Sequence, residues 1–430
     1  MNPASELILD PHTTAGVLAA KLWIRRGSAC DPHQQRGAHQ LLGSLLSRGC
    51  GPYGPMELAD LVEGSGAGLR CDTNEDGLLI SLKCRDNDAE RLLPVIGWMV
   101  HQPHLLPDQV ELEKELSLQA LVRQKEDPFH LAYDGWRTLA YGSGGYGHDP
   151  LGVTGDLDKL ERDQLVALAK QLDGASSVLA MSGTIPKALL NLLNDHEAFQ
   201  SQAASSATDN GIQDQATVSS EDRPQSLCLR VQNTEQVVMM LGQPSLPHGH
   251  ADDPALRLLQ THLGQGMSSL LFRRLREEHG VAYDVGVHYP ARAEASPFVF
   301  HAATSVDKAS LSLSLLHESW NELCSTPLSE ADLQLARVKV RGQLAHGSQT
   351  TGQRAERRAQ LRGLGLPDDY DQRSLAVMDA LDANAVQDAA QRHLGHPLLS
   401  LCGPETSLRA LGDQWEQKQE RQRPIPHQQD

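Results

Sequence analysis

The stretches "LDKLERDQLVALAKQLDGASSVLAMSG" (residues 157–183) and "MDALDANAVQDAAQRHLGHPLLSLCG" (residues 378–403) carry one pattern twice. Each opens on an acidic capping region and continues as an amphipathic helix. Each then ends in a short apolar run closed by glycine, which reads as a buried strand. Leu160 and Leu381 lie 221 residues apart, and Gly183 and Gly403 lie 220 apart. Upstream, "LLPDQVELEKEL" resembles "PLSEADLQLARV", with Leu106 and Leu328 separated by 222. Amphipathic helices resemble one another by chance, but three segments in one order at one offset describe an internal repeat.

Working outward, each half offers the same succession. A strand comes first, "GVLAAKLWIRRGSA" and "LCLRVQNTEQVVMMLGQ", then a helix, "GAHQLLGSLLSRG" and "PALRLLQTHLGQGMSSLLFRRLREE". A strand pair follows, "GLRCDTNEDGLLISLKC" and "VAYDVGVHYPARAEASPFVFHAATS", then several helices and the last strand. Strands, then helices, then a strand within one repeat predicts an α+β fold. The expectation is two tandem homologous domains, each a mixed β-sheet with helices mainly on one face. Residues 200–225, rich in Ser, Ala, Gln and Asp, read as a polar linker. The expected boundaries are 1–199 and 226–415 for the domains and 416–430 for a polar tail.

The chain has 430 residues, 40% of them hydrophobic, enough for two cores. Aromatic residues make up only 4%, so Leu, Ala and Val must do most of the packing. A net charge of −17 argues against a nucleic-acid or anionic-membrane surface. The local basic clusters, Arg273–Arg274 and 354–362, sit beside acids or on a helix face and read as solvated. Seven cysteines without a C-x-x-C pair suit small buried hydrophobes in a reducing compartment. The first residues show no basic and apolar leader pattern, and the longest apolar run is too short to span a bilayer; the expectation is a cytoplasmic protein. "GSGGYG" (142–147) satisfies G-x-G-x-x-G but follows a helical pattern and precedes Pro150, so it does not read as a dinucleotide site.

Three stretches, "RGSACDPHQQRGAHQLLGSLLSRGC", "YGHDPLGVTGDLDKL" and "LGQGMSSLLFRRLREEHGVAYDVG", resemble the pitrilysin/insulinase-type zinc metallopeptidases, in particular their processing-peptidase branch. The likeness runs from about residue 16 to about residue 414. Active members carry His-x-x-Glu-His on the first helix. Two histidines four apart share a helical face and hold Zn²⁺, and the glutamate is the general base for the zinc-bound water. A glutamate on a later helix completes the ligand set. Anchored on Arg48–Gly49, the resemblance places Gln40 and Ser44 at the histidines, Gly43 at the base and Ala120 at the third ligand. None is a zinc ligand or base. Shifting the frame by one brings in His39, but with Leu42 and Gly43 it supplies neither base nor second ligand.

The second half keeps more of the pattern. In "LREEHGVAY", Arg276 ends a helix, Gly280 makes the turn and Tyr283 enters the next strand. Read alone, they are a helix-end cation and a strand aromatic. The resemblance gives them roles, the guanidinium holding substrate carbonyls and the phenol stabilising the oxyanion. Leu270 stands where the family often has Arg.

The resemblance therefore implies a subunit without metal or cofactor of its own, inactive alone. It would complete the substrate site of a homologous subunit that carries the zinc, and the pair would cleave peptides. The alternatives are a purely structural core-type subunit and a peptide-binding homodimer.

Overall fold

The structure, a computed structural model, describes residues 5–12, 16–199 and 225–422. In the first half the elements are β1 (Ser5–Pro11), β2 (Val17–Ile24), α1 (Ala38–Leu46), α2 (Pro55–Glu63), β3 (Gly68–Thr73), β4 (Leu78–Arg85), α3 (Ala89–His101), α4 (Pro107–Gln124), α5 (Pro128–Tyr141), α6 (Thr154–Leu157), α7 (Arg162–Gly174), β5 (Ser177–Gly183) and α8 (Ala188–Asp195). The second half repeats them as β6 (Leu227–Val231), β7 (Gln236–Pro244), α9 (Asp253–Gly264), a π-helical turn (Phe272–Glu278), β8 (Asp284–His288), β9 (Pro297–Ser305), α10 (Ala309–Ser325), α11 (Glu330–His346), α12 (Thr351–Gly363), α13 (Tyr370–Ala380), α14 (Ala383–His393), β10 (Leu398–Gly403) and α15 (Glu405–Gln422).

The two sheets have one topology, β1-β5-β2-β4-β3 and β6-β10-β7-β9-β8. In each, the last strand in sequence inserts between the first two. It runs parallel to the first (Leu7 opposite Leu179, Leu229 opposite Leu401) and antiparallel to the second (Leu22 opposite Leu179, Met239 opposite Leu401). The remaining pairings are antiparallel. The α+β, two-domain, mixed-sheet architecture stands as expected.

Several details differ from the sequence reading. Residues 227–243 form two strands, because β10 fills the place between them. The first half has a matching extra strand, β1, whose short run beside the N-terminus gave no signal. The long helix expected at 254–278 stops at Gly264; the chain turns at Gly266 (φ +75°) and resumes as the π-helical turn. The polar tail is helical as far as Gln422, anchored by the fully buried Trp415, and its remainder lies outside the described residues. The 200–225 linker, apart from Gln225, also lies outside them.

By contact, one compact unit contains the first sheet with α1–α4, α6–α8 and α12. The other contains the second sheet with α5, α9, α10, α14 and α15; the boundaries fall within α11 and α13. Equivalent helices of the repeat, α5 and α12, are thus exchanged between the halves of the chain.

Strand alternation explains what α12 does in its unit. Leu18, Ala20, Leu22 and Ile24 of β2 face the main core, with Leu41, Leu45, Leu92 and Leu168. The opposite face presents Trp23 with Ile8, Leu79, Val178 and Ala180, and Ala359 of α12 closes over them. Gly363 lets the helix approach, since a Cβ there would lie 2.4 Å from Trp23 Cδ1. In the other unit the large side chain comes from the helix: Trp136 of α5 is fully buried and its indole N–H donates to Gly242 O (3.1 Å).

Polar contacts frame the α12 interface. Glu6 and Asp10 lie on one face of β1, two pleats apart, a rise of roughly 13 Å. On α12, Arg354, Arg358 and Arg362 recur every four residues, about 12 Å over the same span. Arg354 and Arg358 pair with Asp10 (2.8 and 3.1 Å), and Arg362 pairs with Glu6 (2.5 Å). This corrects the reading of the 354–362 cluster as solvated, since its arginines neutralise strand acids. Arg274 likewise bonds Ser319 and Glu322 of α10. Burial alone would raise the Asp10 carboxyl, but the hydrogen bonds from Arg354 and Ser182 and the charge of Arg358 outweigh it and bring the pKa down to about 2.

Candidate functional site

Helix α1 begins where the loop before it supplies a cap. Gly37, at φ +102°, turns the chain, and the Asp31 carboxylate accepts the Gly37 and His39 backbone N–H groups (2.6 and 2.9 Å). Those are orphan donors of the first turn, and a carboxylate there also meets the positive end of the helix dipole. The same carboxylate bonds His39 Nδ1 (2.7 Å) and His148 Nε2 (3.3 Å). Desolvation pushes Asp31 up, but the hydrogen bonds from His148, His39 and Gly37 hold it below the usual carboxylate range.

Leu41, Leu42, Leu45 and Leu46 are fully buried. At the four positions of the resemblance, Gln40 and Ser44 are half-buried, and the Ser44 hydroxyl donates to Gln40 O (3.3 Å). Gly43 is buried under β3, and a Cβ there would lie 2.6 Å from Thr73 Oγ1. Any side chain at this position would run into the Thr73 hydroxyl of the strand. Arg48, just past α1, donates to Glu113 of α4 (2.7 Å), and half-buried Ala120 lies two turns beyond Glu113.

These residues do not fit a zinc ion. Positions 40, 43, 44 and 120 offer no imidazole, thiolate or carboxylate, and His39 is a single ligand whose Nδ1 is held by Asp31. His39 is completely buried and its Nε2 has no hydrogen-bond partner among the described residues. The role of His39 as the partner of a loop aspartate was not legible in the sequence. Asp31 lies eight residues upstream, and only the left-handed Gly37 turn brings it back.

The second unit holds Arg276 and Tyr283. The π-helical turn is pinned by buried Leu275, whose carbonyl accepts from Val281 N (2.7 Å). Gly280, at φ +59°, reverses the chain. Tyr283 lies one residue before β8, and its N–H donates to Ala303 O of β9 (3.2 Å). The Arg276 guanidinium lies over the Phe272 ring and donates from Nη1 to the Tyr283 carbonyl (3.0 Å). The turn therefore brings the two residues together through the main chain of one and the side chain of the other. Both side chains reach solvent. Tyr283 is 53% exposed, and its hydroxyl has no partner among the described residues. Partial burial and neighbouring Asp284 push the phenol's pKa up, so it remains a donor at neutral pH.

All seven cysteine thiols are free, and burial raises Cys50 to about 12 and Cys84, Cys324 and Cys402 to about 11. These four are shifted away from the low pKa of a nucleophile. No described helix is long and apolar enough to cross a membrane.

Two family profiles match the chain: "Insulinase (Peptidase family M16)" over residues 7–143 and "Peptidase M16 inactive domain" over residues 159–339. An uncharacterized zinc protease of Streptomyces coelicolor is 22% identical over 341 residues, 77% of this chain and 72% of the relative. One from Bacillus subtilis is 20% identical over 82% of this chain and 84% of its own. Among solved structures, a peptidase M16 inactive domain from Pseudomonas fluorescens superposes with a TM-score of 0.80 at 18% identity, covering 94% of this chain and 96% of that one. A protease from Helicobacter pylori gives 0.83 at 15% identity, covering 93% and 97%. At these identities the superpositions establish the shared fold.

Proposed function

We propose, on the premise that the chain belongs to the insulinase-type M16 peptidase family, that it is a non-catalytic subunit that completes the substrate site of a zinc-bearing homologue. One contrast carries this reading. The helix that would hold the metal has none of its ligands, whereas Arg276 and Tyr283 are held together with a phenol that spends its hydroxyl on no structural bond. A tyrosine kept only for packing buries its ring and satisfies its hydroxyl; this one does neither. In the assembled enzyme the guanidinium would bond carbonyls of an extended peptide, and the protonated phenol would donate to the oxyanion of the tetrahedral intermediate. The partner would contribute the zinc and the general base. No step of hydrolysis is assigned to α1.

Reconstitution tests the proposal. The purified chain alone should not hydrolyse peptides. Mixed with a homologous subunit carrying an intact His-x-x-Glu-His, it should form a stable complex whose activity exceeds that of either chain. A partner fully active without this chain would refute the division of labour. A tight complex with unchanged activity would favour the structural, core-type reading.

A further inference from the structure

We propose that His250, Asp252 and His393 form a binding site for a divalent transition-metal ion of the Zn²⁺, Cu²⁺ or Co²⁺ kind. The site joins the start of α9 to the end of α14, within one unit. It departs from the expectation that the chain holds no metal, which came from α1 alone.

Among the described residues this is the one group of three potential ligands whose donor atoms all lie within 4.8 Å of one another. His393 Nε2 lies 2.8 Å from Asp252 Oδ2, and the His250 and His393 rings meet edge-to-face with centroids 5.5 Å apart. Zn–N and Zn–O bonds of about 2.0–2.2 Å require donors roughly 3–4 Å apart, so small rotations of surface rings close the set. Two imidazoles and a carboxylate suit Zn²⁺, Cu²⁺ or Co²⁺ rather than Ca²⁺ or Mg²⁺, which prefer oxygen. Water would fill the remaining positions, because His250 is exposed.

The backbone around the trio is held firmly. In the loop entering α9, the buried Asp253 carboxylate accepts from His248 Nδ1 (2.8 Å), Tyr289 OH (2.7 Å) and Arg257 Nε (3.1 Å). At the end of α14, the His393 carbonyl accepts from the Gln243 amide (2.6 Å), whose oxygen receives His396 N–H (2.6 Å). The three ligands therefore project from two fixed ends, as a metal site requires.

The same residues also form an ordinary charge cluster. Arg392 donates to Asp252 Oδ2 (3.1 Å), and the Asp252 backbone N–H donates to His250 Nδ1 (3.0 Å). Metal binding would displace the guanidinium from the carboxylate and release the N–H, and both groups lie where water replaces those bonds. The two readings predict opposite effects of removing Arg392. A charge cluster loses a partner and weakens, whereas a metal site loses its competitor.

The test uses the full chain, stripped with chelator and titrated with Co²⁺, whose visible d–d bands report inner-sphere ligation, followed by displacement with Zn²⁺. The expected result is one saturable ion per chain. His250→Ala, an exposed position, should weaken binding at least about tenfold. Arg392→Ala should tighten it, and His279→Ala, on the exposed turn before Tyr283, should leave it unchanged. Zn²⁺ should raise the Tm of the parent chain but not of His250→Ala. No saturable site would overturn the proposal, and so would binding that survives His250→Ala unchanged, which would assign the ion to other histidines among the 19.

Discussion

At Gly43 the contact with strand β3 leaves little room for any side chain on this face of α1. A Cβ there would meet Thr73 Oγ1 at 2.6 Å, well inside contact distance. Alanine is otherwise favoured over glycine within a helix by up to about 1 kcal/mol. The two effects oppose each other, and Thr73 decides between them. Gly43→Ala should destabilise the parent chain but stabilise a Thr73→Ala background, with a coupling of about 1 kcal/mol or more in a denaturant double-mutant cycle. Additive effects would show that strand β3 does not fill the position. The spacing of Gln40, Gly43 and Ser44 on α1 can be read from the sequence, because spacing within one helix is a local property. The capture of His39 by Asp31 depends on a loop reversal, and the release of space to Thr73 depends on a strand that packs from elsewhere.

At the level of the element, the pairing of α12 with β1 makes a pH prediction. The Asp10 carboxyl is lowered to about 2, against an unfolded value near 3.8. A depressed carboxylate contributes stability that is present above the unfolded pKa and lost as pH falls through the folded one. Its contribution should therefore fade between about pH 4 and pH 2 and amount to at most about 2 kcal/mol. Asp10→Asn should lower stability at pH 6 and flatten the acid limb of the unfolding curve; an unchanged limb would mean that Arg354 and Arg358 do not hold a charged Asp10. This contact was not legible beforehand. The arginine spacing of α12 suits a solvated helix equally well, and only the Glu6–Asp10 alternation on β1 gives it a partner. The strand β1 was hidden for a related reason: two of its three residues on that face are acids, so it lacks the apolar run that marked β5 and β10.

For the whole molecule, the constant offset recovered the repeat and hence two sheets of one topology, because sequence order and spacing survive where identity does not. It could not reveal that α5 and α12 serve the opposite halves, since the amphipathic pattern of a helix does not specify which sheet it covers. The exchange makes the halves interdependent. A fragment of residues 1–199 lacks α12, leaving Ile8, Trp23, Leu79, Val178 and Ala180 without their cover. A fragment of residues 225–422 lacks Trp136, whose loss alone should cost about 3–5 kcal/mol. Neither fragment should show a cooperative thermal transition by itself, and mixing them should restore one. Two independently cooperative fragments would contradict the exchange.

The central claim is that Tyr283 of a chain without a metal-binding helix completes another subunit's active site, and kcat of the assembled complex carrying Tyr283→Phe tests it most directly. The change removes one exposed hydroxyl and little packing, so folding and association should hardly alter. If the phenol donates to the oxyanion, kcat should fall by about 10²-fold or more while KM changes little. An unchanged kcat in a correctly assembled complex would contradict the account.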